Sequence, residues 1–372
     1  MKLTIERTAL LRSLGHVQSV VERRNTIPIL SNVRLDADAD DQVRLTATDM
    51  DIAIVEAAPA NVSQPGSVTA PAHMLYDIAR KLPEGAEVQI STGGAEGKLT
   101  LEAGRFAMTV SCLPVEDFPV MAEGELPHSF TIAAGELKRL LLKTRFAIST
   151  EETRYYLNGI YLHAVSDGEP GLRAVATDGH RLARVDAALP PGAEEIPGVI
   201  VPRKAIAEVL KLLEEEEADV SVALSETKIR FALNAATLTS KLIDGSFPDY
   251  GRVIPSANDR VLAVDNKAFT KAVDLVSTVS TEKSRAVKIG LGGGKIVVSA
   301  VSPDAGSAEE EVDATFSGDG FDIGFNARYV LDMADQIEGE VIEFVLADSA
   351  SPTLVRDPED SGAVYVIMPM RV

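Results

Sequence analysis

The feature that most constrains this chain is that it repeats itself. Three segments read alike: "KLTIERTALLRSLGHVQSVV" from Lys2, "SFTIAAGELKRLLLKTRFAIS" from Ser129 and "VLAVDNKAFTKAVDLVSTVS" from Val261. Each is a short alternating strand, a polar turn, then apolar residues at helical spacing, as in Leu137, Leu140, Leu141 and Thr144. Their anchors Ile5, Ile132 and Val264 are 127 and 132 residues apart. A second set runs in step: "SVTAPAHMLYDIARKLPEGAEVQIS", "GVIVPRKAIAEVLKLLEEEEADVSV" and "FDIGFNARYVLDMADQIEGEVIEFV". Their junctions Pro71, Pro202 and Asn326 are 131 and 124 residues apart. Pro beside the first helical position and Asn as an N-cap are both helix start signals. The 372 residues are therefore three copies of about 124, each built from two half-copies of strand, helix and further strands.

A chain this long exceeds what one core organises, and the copies predict an α+β protein of three pseudo-repeated domains, 1–126, 127–257 and 258–372. Period-2 segments with hairpin turns, such as "VRLTATDMDIAIVEA", "LRAVATDGHRLARVDA" and "KIGLGGGKIVVSAVS", supply the strands. The stretches "FPVMAEGELPHS" and "FPDYGRVIPSAND" read as linkers. No signal peptide is expected, and no apolar run reaches the ~18 residues that span a bilayer. The lone Cys112 excludes an internal disulfide and fits a reducing cytoplasm.

One stretch invites a catalytic reading. In "ATDGHRLA", Asp178, His180 and Arg181 could act as base and anion holder. The repeat supplies a control: the first copy has Thr48, Asp49, Met50, Asp51 and Ile52 where the second has Thr177, Asp178, Gly179, His180 and Arg181. Thr-Asp occurs in both and reads as a turn that bonds its own backbone. Gly179, His180 and Arg181 belong to the second copy alone, which implies a task other than folding. No nucleophile or second acid accompanies them. The turns "GGAEGKL" and "GLGGGKI" lack the spacing of a phosphate loop. The five histidines show no metal-ligand spacing, and "EEEE" at 214–217 reads as a solvated run. Neither a cofactor nor a metal is expected.

The net charge of −20 opposes nucleic-acid binding on its face, but the distribution of charge matters more than its sum. The helix "ELKRLLLKTRFAI" carries Lys138, Arg139, Lys143 and Arg145 against Glu136; others carry Arg203 with Lys204, and His73 with Arg80. Acids crowd into strands and loops, as in "LDADADD". A basic helical surface on an acidic body is expected. The chain ends in "AVYVIMPMRV", an apolar strand followed by methionines of the kind that line adaptable binding surfaces.

Together the motifs "TIPILSN", "RYYLNG", "ATDGHRLA", "VIVPRKAI", "TSKLIDGSFPDY", "IGFNARYVLD" and "YVIMPMRV" resemble those of the bacterial replicative sliding clamps, the beta subunits of DNA polymerase III, in family order along the whole chain. The resemblance implies a clamp fold with two helices per domain backed by antiparallel sheets. It also implies a head-to-tail homodimer closed into a ring with twelve helices inside. Twelve helices at ~9 Å spacing place their axes on a circle ~34 Å across and leave ~24 Å of bore, enough for a duplex held loosely. Duplex DNA would be encircled without base readout. The replicative polymerase alpha subunit, clamp loader, other polymerases and repair proteins would dock through short peptides, with no membrane partner. The positions matching the family's peptide groove are Leu157, Thr177, Gly179, His180, Arg181, Leu182, Pro248, Arg252, Val253, Val366, Met368, Pro369, Met370 and Arg371. A family serine in the last domain is replaced by Pro352. For DNA the resemblance points to Arg24, His73, Tyr155 and Tyr156 alongside the helix cations, with Glu151 and Glu152 opposing. For the dimer seam it points to Phe106 and Met108 against Thr278 and Val279, and to Arg105 pairing with Glu309 or Glu310.

Overall fold

The computed structural model describes every residue except 25, 94–96, 123, 167–168, 215–216, 281–284 and 372. Six α-helices are described, and each starts where a strand ends. They are α1 (Arg7–Gln18), α2 (Ala72–Lys81), α3 (Ala134–Arg145), α4 (Arg203–Leu212), α5 (Asn266–Ser277) and α6 (Ala327–Ala334). The junctions read from the sequence hold: Pro71 is the N-cap of α2, Pro202 immediately precedes α4, and the Asn326 side chain accepts from the backbone N–H of Arg328 and Tyr329. Glu6 and Asp265 cap α1 and α5 in the same way. The helical spacing of Leu137, Leu140, Leu141 and Thr144 puts all four in the core.

Two compact units emerge. The first comprises Met1–Lys138, Pro190–Pro197 and Lys204–Leu242. It holds a five-stranded sheet ending at Phe106–Ser111, and an eight-stranded sheet in which Ala236–Lys241 of the second copy pairs with Ile52–Pro59 of the first. The second comprises Arg139–Leu189, Gly198–Arg203 and Ile243–Val372, around a twelve-stranded sheet. There Arg181–Ala188 of the second copy pairs with Asp360–Ile367 of the third. Sheets thus run across both joints between copies, through equivalent strands. Alternation sets which face is buried: in Lys98–Ala103, Leu99, Leu101 and Ala103 face inward while Lys98 and Glu102 face water. The third copy's core is aromatic, with Phe269, Phe325 and Phe344 in contact at centroid distances of 5.2 and 6.5 Å.

The expected hairpin at 290–295 joins Ala286–Leu291 to Lys295–Ser302, with Gly294 at φ +90°. The counterpart turn at 93–99 and the acidic run at 214–217 fall partly outside the described residues. No described helix is long and apolar enough to cross a membrane.

Candidate functional site

The turn at Asp178 is built the same way in both copies. Thr177 Oγ1 donates to the Arg181 carbonyl at 2.7 Å and accepts from Gly179 N–H, while Asp178 Oδ1 accepts from the N–H groups of His180 and Arg181. Thr48 and Asp49 repeat this pattern around Met50, Asp51 and Ile52. The self-bonding turn is confirmed. The inference that the fold makes no demand at Gly179 needs correction: φ is +88° there and +78° at Met50, so the backbone takes the left-handed region in both copies. A Cβ on Gly179 would also lie 2.7 Å from an Arg154 nitrogen.

Arg181 is fully occupied. Its guanidinium bonds Asp178 at 3.1 Å and Asp332, and it lies 4.3 Å from the Tyr329 ring and 5.2 Å from Phe146. Burial, reinforced by the Asp178 carboxylate, pushes the Tyr329 phenol up. His180 is exposed, and its ring stacks on Tyr329 instead of meeting Asp178. Asp178 and Arg181 therefore lock each other, which leaves neither a base nor an anion holder. Among the described residues no three His, Cys, Asp or Glu gather as a metal cage.

Beside this turn lies a buried apolar cluster. Val175, Leu182 and Val366 form a buried cluster, and Tyr161, Phe247, Tyr250 and Ile254 pack over it. Phe247 stacks on Tyr161 at 5.0 Å and 6°, and Tyr161 stacks on His163 at 4.5 Å. Tyr250 is held by Arg173 at 3.1 Å and by His163 Nε2 at 3.0 Å. Burial lowers the His163 pKa, which favours the neutral ring. The terminal segment closes one side: Met368 N–H donates to the His180 carbonyl at 2.9 Å and Met370 N–H to Gly324 at 2.8 Å. Met368, Pro248, Arg252 and Val253 are exposed at the rim, Thr177 and Pro369 are half-buried, and Leu157 is buried. Met370 and Arg371 turn toward a separate hollow of about 770 Å³ that Val301 and Lys288 also line. The Pro352 carbonyl accepts from Asn258 at 2.9 Å. Of the sequence candidates, Leu182 and Val366 belong to this buried cluster. Val175, Tyr161, Phe247, Tyr250 and Ile254 were missed, although the Phe-Pro of both linkers was a usable signal.

Family models for the DNA polymerase III beta subunit match the chain in three parts. The N-terminal domain covers residues 1–122, the central domain 131–249 and the C-terminal domain 251–371. This chain belongs to the beta sliding clamp family. It is 55% identical to the beta sliding clamp of Caulobacter vibrioides and 37% identical to that of Escherichia coli K12, each over the full length of both chains. Among solved structures it resembles a DnaN sliding clamp from Bartonella birtlesii bound to griselimycin, with TM-score 0.97, 49% identity and full coverage of both chains. The Pseudomonas aeruginosa sliding clamp bound to griselimycin gives TM-score 0.94 at 40% identity, again with full coverage of both.

The helix cations expected in a sliding clamp divide into two groups. Arg24, Arg80 and Arg203 are exposed; Arg80 lies 3.6 Å from Asp77. Lys138 is half-buried without an ion pair among the described residues. Arg139, Lys143 and Lys204 form the second group, each already paired with carboxylates of this chain. Arg139 and Lys143 both grip Asp360, at 2.7 and 2.9 Å, and Lys143 is buried. Burial tends to raise the Asp360 pKa, but the hydrogen bonds from Lys143 and Arg139 hold it below the usual carboxylate range. Lys204 sits between Glu22 and Asp49, each at 2.6 Å, and also donates to the Val20 carbonyl. His73 Nε2 is 3.0 Å from the Val21 carbonyl, so that ring edge is occupied too. Tyr155 is exposed and meets half-buried Tyr156 edge-on at 5.8 Å. Glu151 pairs with Arg154 at 3.3 Å.

Two of the open sheet edges hold the residues expected at the dimer seam. Phe106–Ser111 ends the five-stranded sheet, with Arg105 and Phe106 exposed and Met108 half-buried. In Gly306–Phe316, residues 306–313 pair only with Lys295–Ser302 among the described residues. Glu309 and Glu310 are exposed there, while Glu311 pairs with Lys295. Thr278 is exposed, Val279 half-buried, and Leu275 on α5, unforeseen from the sequence, is 56% exposed.

Proposed function

We propose that this protein is a non-enzymatic processivity factor of the cytoplasm. Two copies join head to tail, encircle duplex DNA and tether the replicative polymerase and other replication and repair proteins through short peptides. The apolar cluster of Val175, Leu182 and Val366 carries this reading: a dry apolar patch beside a pinned turn, with Met368 exposed at its edge, suits a peptide anchor and offers nothing catalytic. The 1–126, 127–257 and 258–372 domains each contribute two helices to the lining. The lining cations, chiefly Arg24, Arg80, Lys138 and Arg203 with Tyr155 and Tyr156, contact phosphate without reading sequence.

Closure uses the two edges that hold the seam residues. The backbone of Phe106–Ser111 lies against that of residues 306–313 of a second copy, Phe106 and Met108 meet Thr278 and Val279, and Arg105 meets Glu309 or Glu310. Such a contact is heterologous and closes only if its rotation returns to the start. The acidic body keeps DNA off other surfaces. Tethering then acts through effective concentration.

The test is retention on DNA of two topologies. The protein, placed on a nicked circular duplex by a clamp loader, should co-elute with the circle and be lost once the circle is cut. Equal retention on circular and linear DNA would mean contact binding and would refute encirclement.

A further inference from the structure

The joint between the first and second copies holds a counterpart of this apolar cluster with different chemistry. Ala53 pairs with Thr239 where Leu182 pairs with Val366, and the row Thr46–Val55–Thr237 stands where Val175–Arg184–Val364 stands. The first linker crosses it with Phe118-Pro119 as the second does with Phe247-Pro248. A hollow of about 460 Å³ results, within the range of small-ligand sites. Its floor is threonine where the other is aliphatic. Ala53 and Val55 add apolar surface from the sheet, and the linker adds Met121, Leu126 and Val120, which is 77% exposed. The linker is fixed at both sides: Phe118 is buried with Ile29 and Leu30, and Lys228 Nζ donates to the Ala122 carbonyl at 2.6 Å.

The hollow is also basic on an acidic chain. Arg34, Arg44 and Arg230 line it against a single carboxylate, Asp36, which Arg34 already binds at 2.9 Å. Arg230 makes no ion pair among the described residues, and Arg44 reaches only Asp38, at 3.7 Å.

We propose that this hollow is a second docking site, for a short extended peptide that places acidic residues beside one apolar anchor. The anchor contacts Val120, Met121 and Leu126, the threonines bond the peptide backbone, and the arginines take its carboxylates. Positive charge selects the acid, and the linker's apolar lip selects a peptide over a bare polyanion.

The test uses the full-length protein and the acetylated hexapeptide Glu-Glu-Leu-Phe-Glu-Glu with a diazirine on its leucine, cross-linked by light and mapped by mass spectrometry. Adducts are expected on residues 118–126 and on Ala236–Lys241. Arg230→Glu should reduce them about tenfold, and Arg230→Lys should keep them. Any adducts in the Leu182 groove report that the variants remain folded, as does an unchanged thermal midpoint. Adducts confined to the Leu182 groove would overturn the proposal. So would equal labelling by the lysine version of the peptide, or loss of all first-joint labelling to a competing single-stranded oligonucleotide, which would assign the hollow to nucleic acid.

Discussion

At the residue scale, one turn shows how a repeat separates folding from function. Met50 at φ +78° and Gly179 at φ +88° occupy equivalent positions, so the left-handed backbone belongs to the hairpin and not to the groove. Gly179→Ala should lower unfolding free energy by about 1–2 kcal/mol from the backbone alone, with the Arg154 contact adding to it. Urea titration would read this, and an unchanged midpoint would mean the turn can relax out of that conformation. Arg181 is clamped by Asp178 and Asp332. His180, exposed and stacked on Tyr329, is the side chain in the turn with most freedom to touch a ligand. We expect His180→Ala to weaken binding of a polymerase-tail peptide and leave thermal stability within ~0.5 kcal/mol, as at a surface position.

At the element scale, α3 is held to the strand Asp360–Ile367 by its own cations. Asp360→Asn would leave Lys143 buried against only the exposed Glu338, at 3.2 Å, and should cost about 2 kcal/mol. The pH dependence follows from a carboxyl whose folded pKa is depressed. Its stabilisation is fully present above the unfolded value, near pH ~4, and fades as pH falls through the lower folded value. The gap between native protein and Asp360→Asn in denaturant midpoint should therefore be largest at neutral pH and shrink below pH ~4. A constant gap would show that geometry and not charge is at stake. The terminal strand makes a second case: removing residues 368–372 takes away the Met368 and Met370 backbone bonds but none of the Asp360–Ile367 ladder. The truncated protein should fold and lose peptide binding, as anisotropy of a labelled tail peptide would show.

At the scale of the whole molecule, the open edges and the exposed cations make separable predictions. Light scattering at low micromolar concentration should give about twice 39.6 kDa. Arg105→Glu should shift the protein toward monomer, and adding Glu310→Arg should restore the dimer, because complementary charge orients the seam. A monomer at every concentration would leave an open chain that cannot hold DNA topologically. On DNA, neutralising Arg24 and Arg203 should lower the slope of log affinity against log salt by up to ~0.9 for each phosphate that no longer meets a cation. Neutralising Arg139 and Lys143 should change stability and leave that slope alone, because Asp360 already consumes their charge.

What the sequence by itself determined is what travels with local order. The three copies, the six strand-to-helix junctions and the Thr-Asp turns are set by periodicity, caps and side chains that bond their own backbone, each acting within a few residues. The family was legible because "ATDGHRLA", "YVIMPMRV" and five further motifs stand in family order along the chain. Only the tertiary structure decided which charges are spent and which surfaces stay dry. Asp360 follows Lys143 by 217 residues and Asp49 precedes Lys204 by 155, so counting cations along a helix could not reveal their neutralisation. The aromatic lid over Leu182 and Val366, and the threonine floor of its counterpart, likewise depend on which strands become neighbours. That pairing is a long-range choice, made when apolar faces are buried together, and no short stretch of chain contains it.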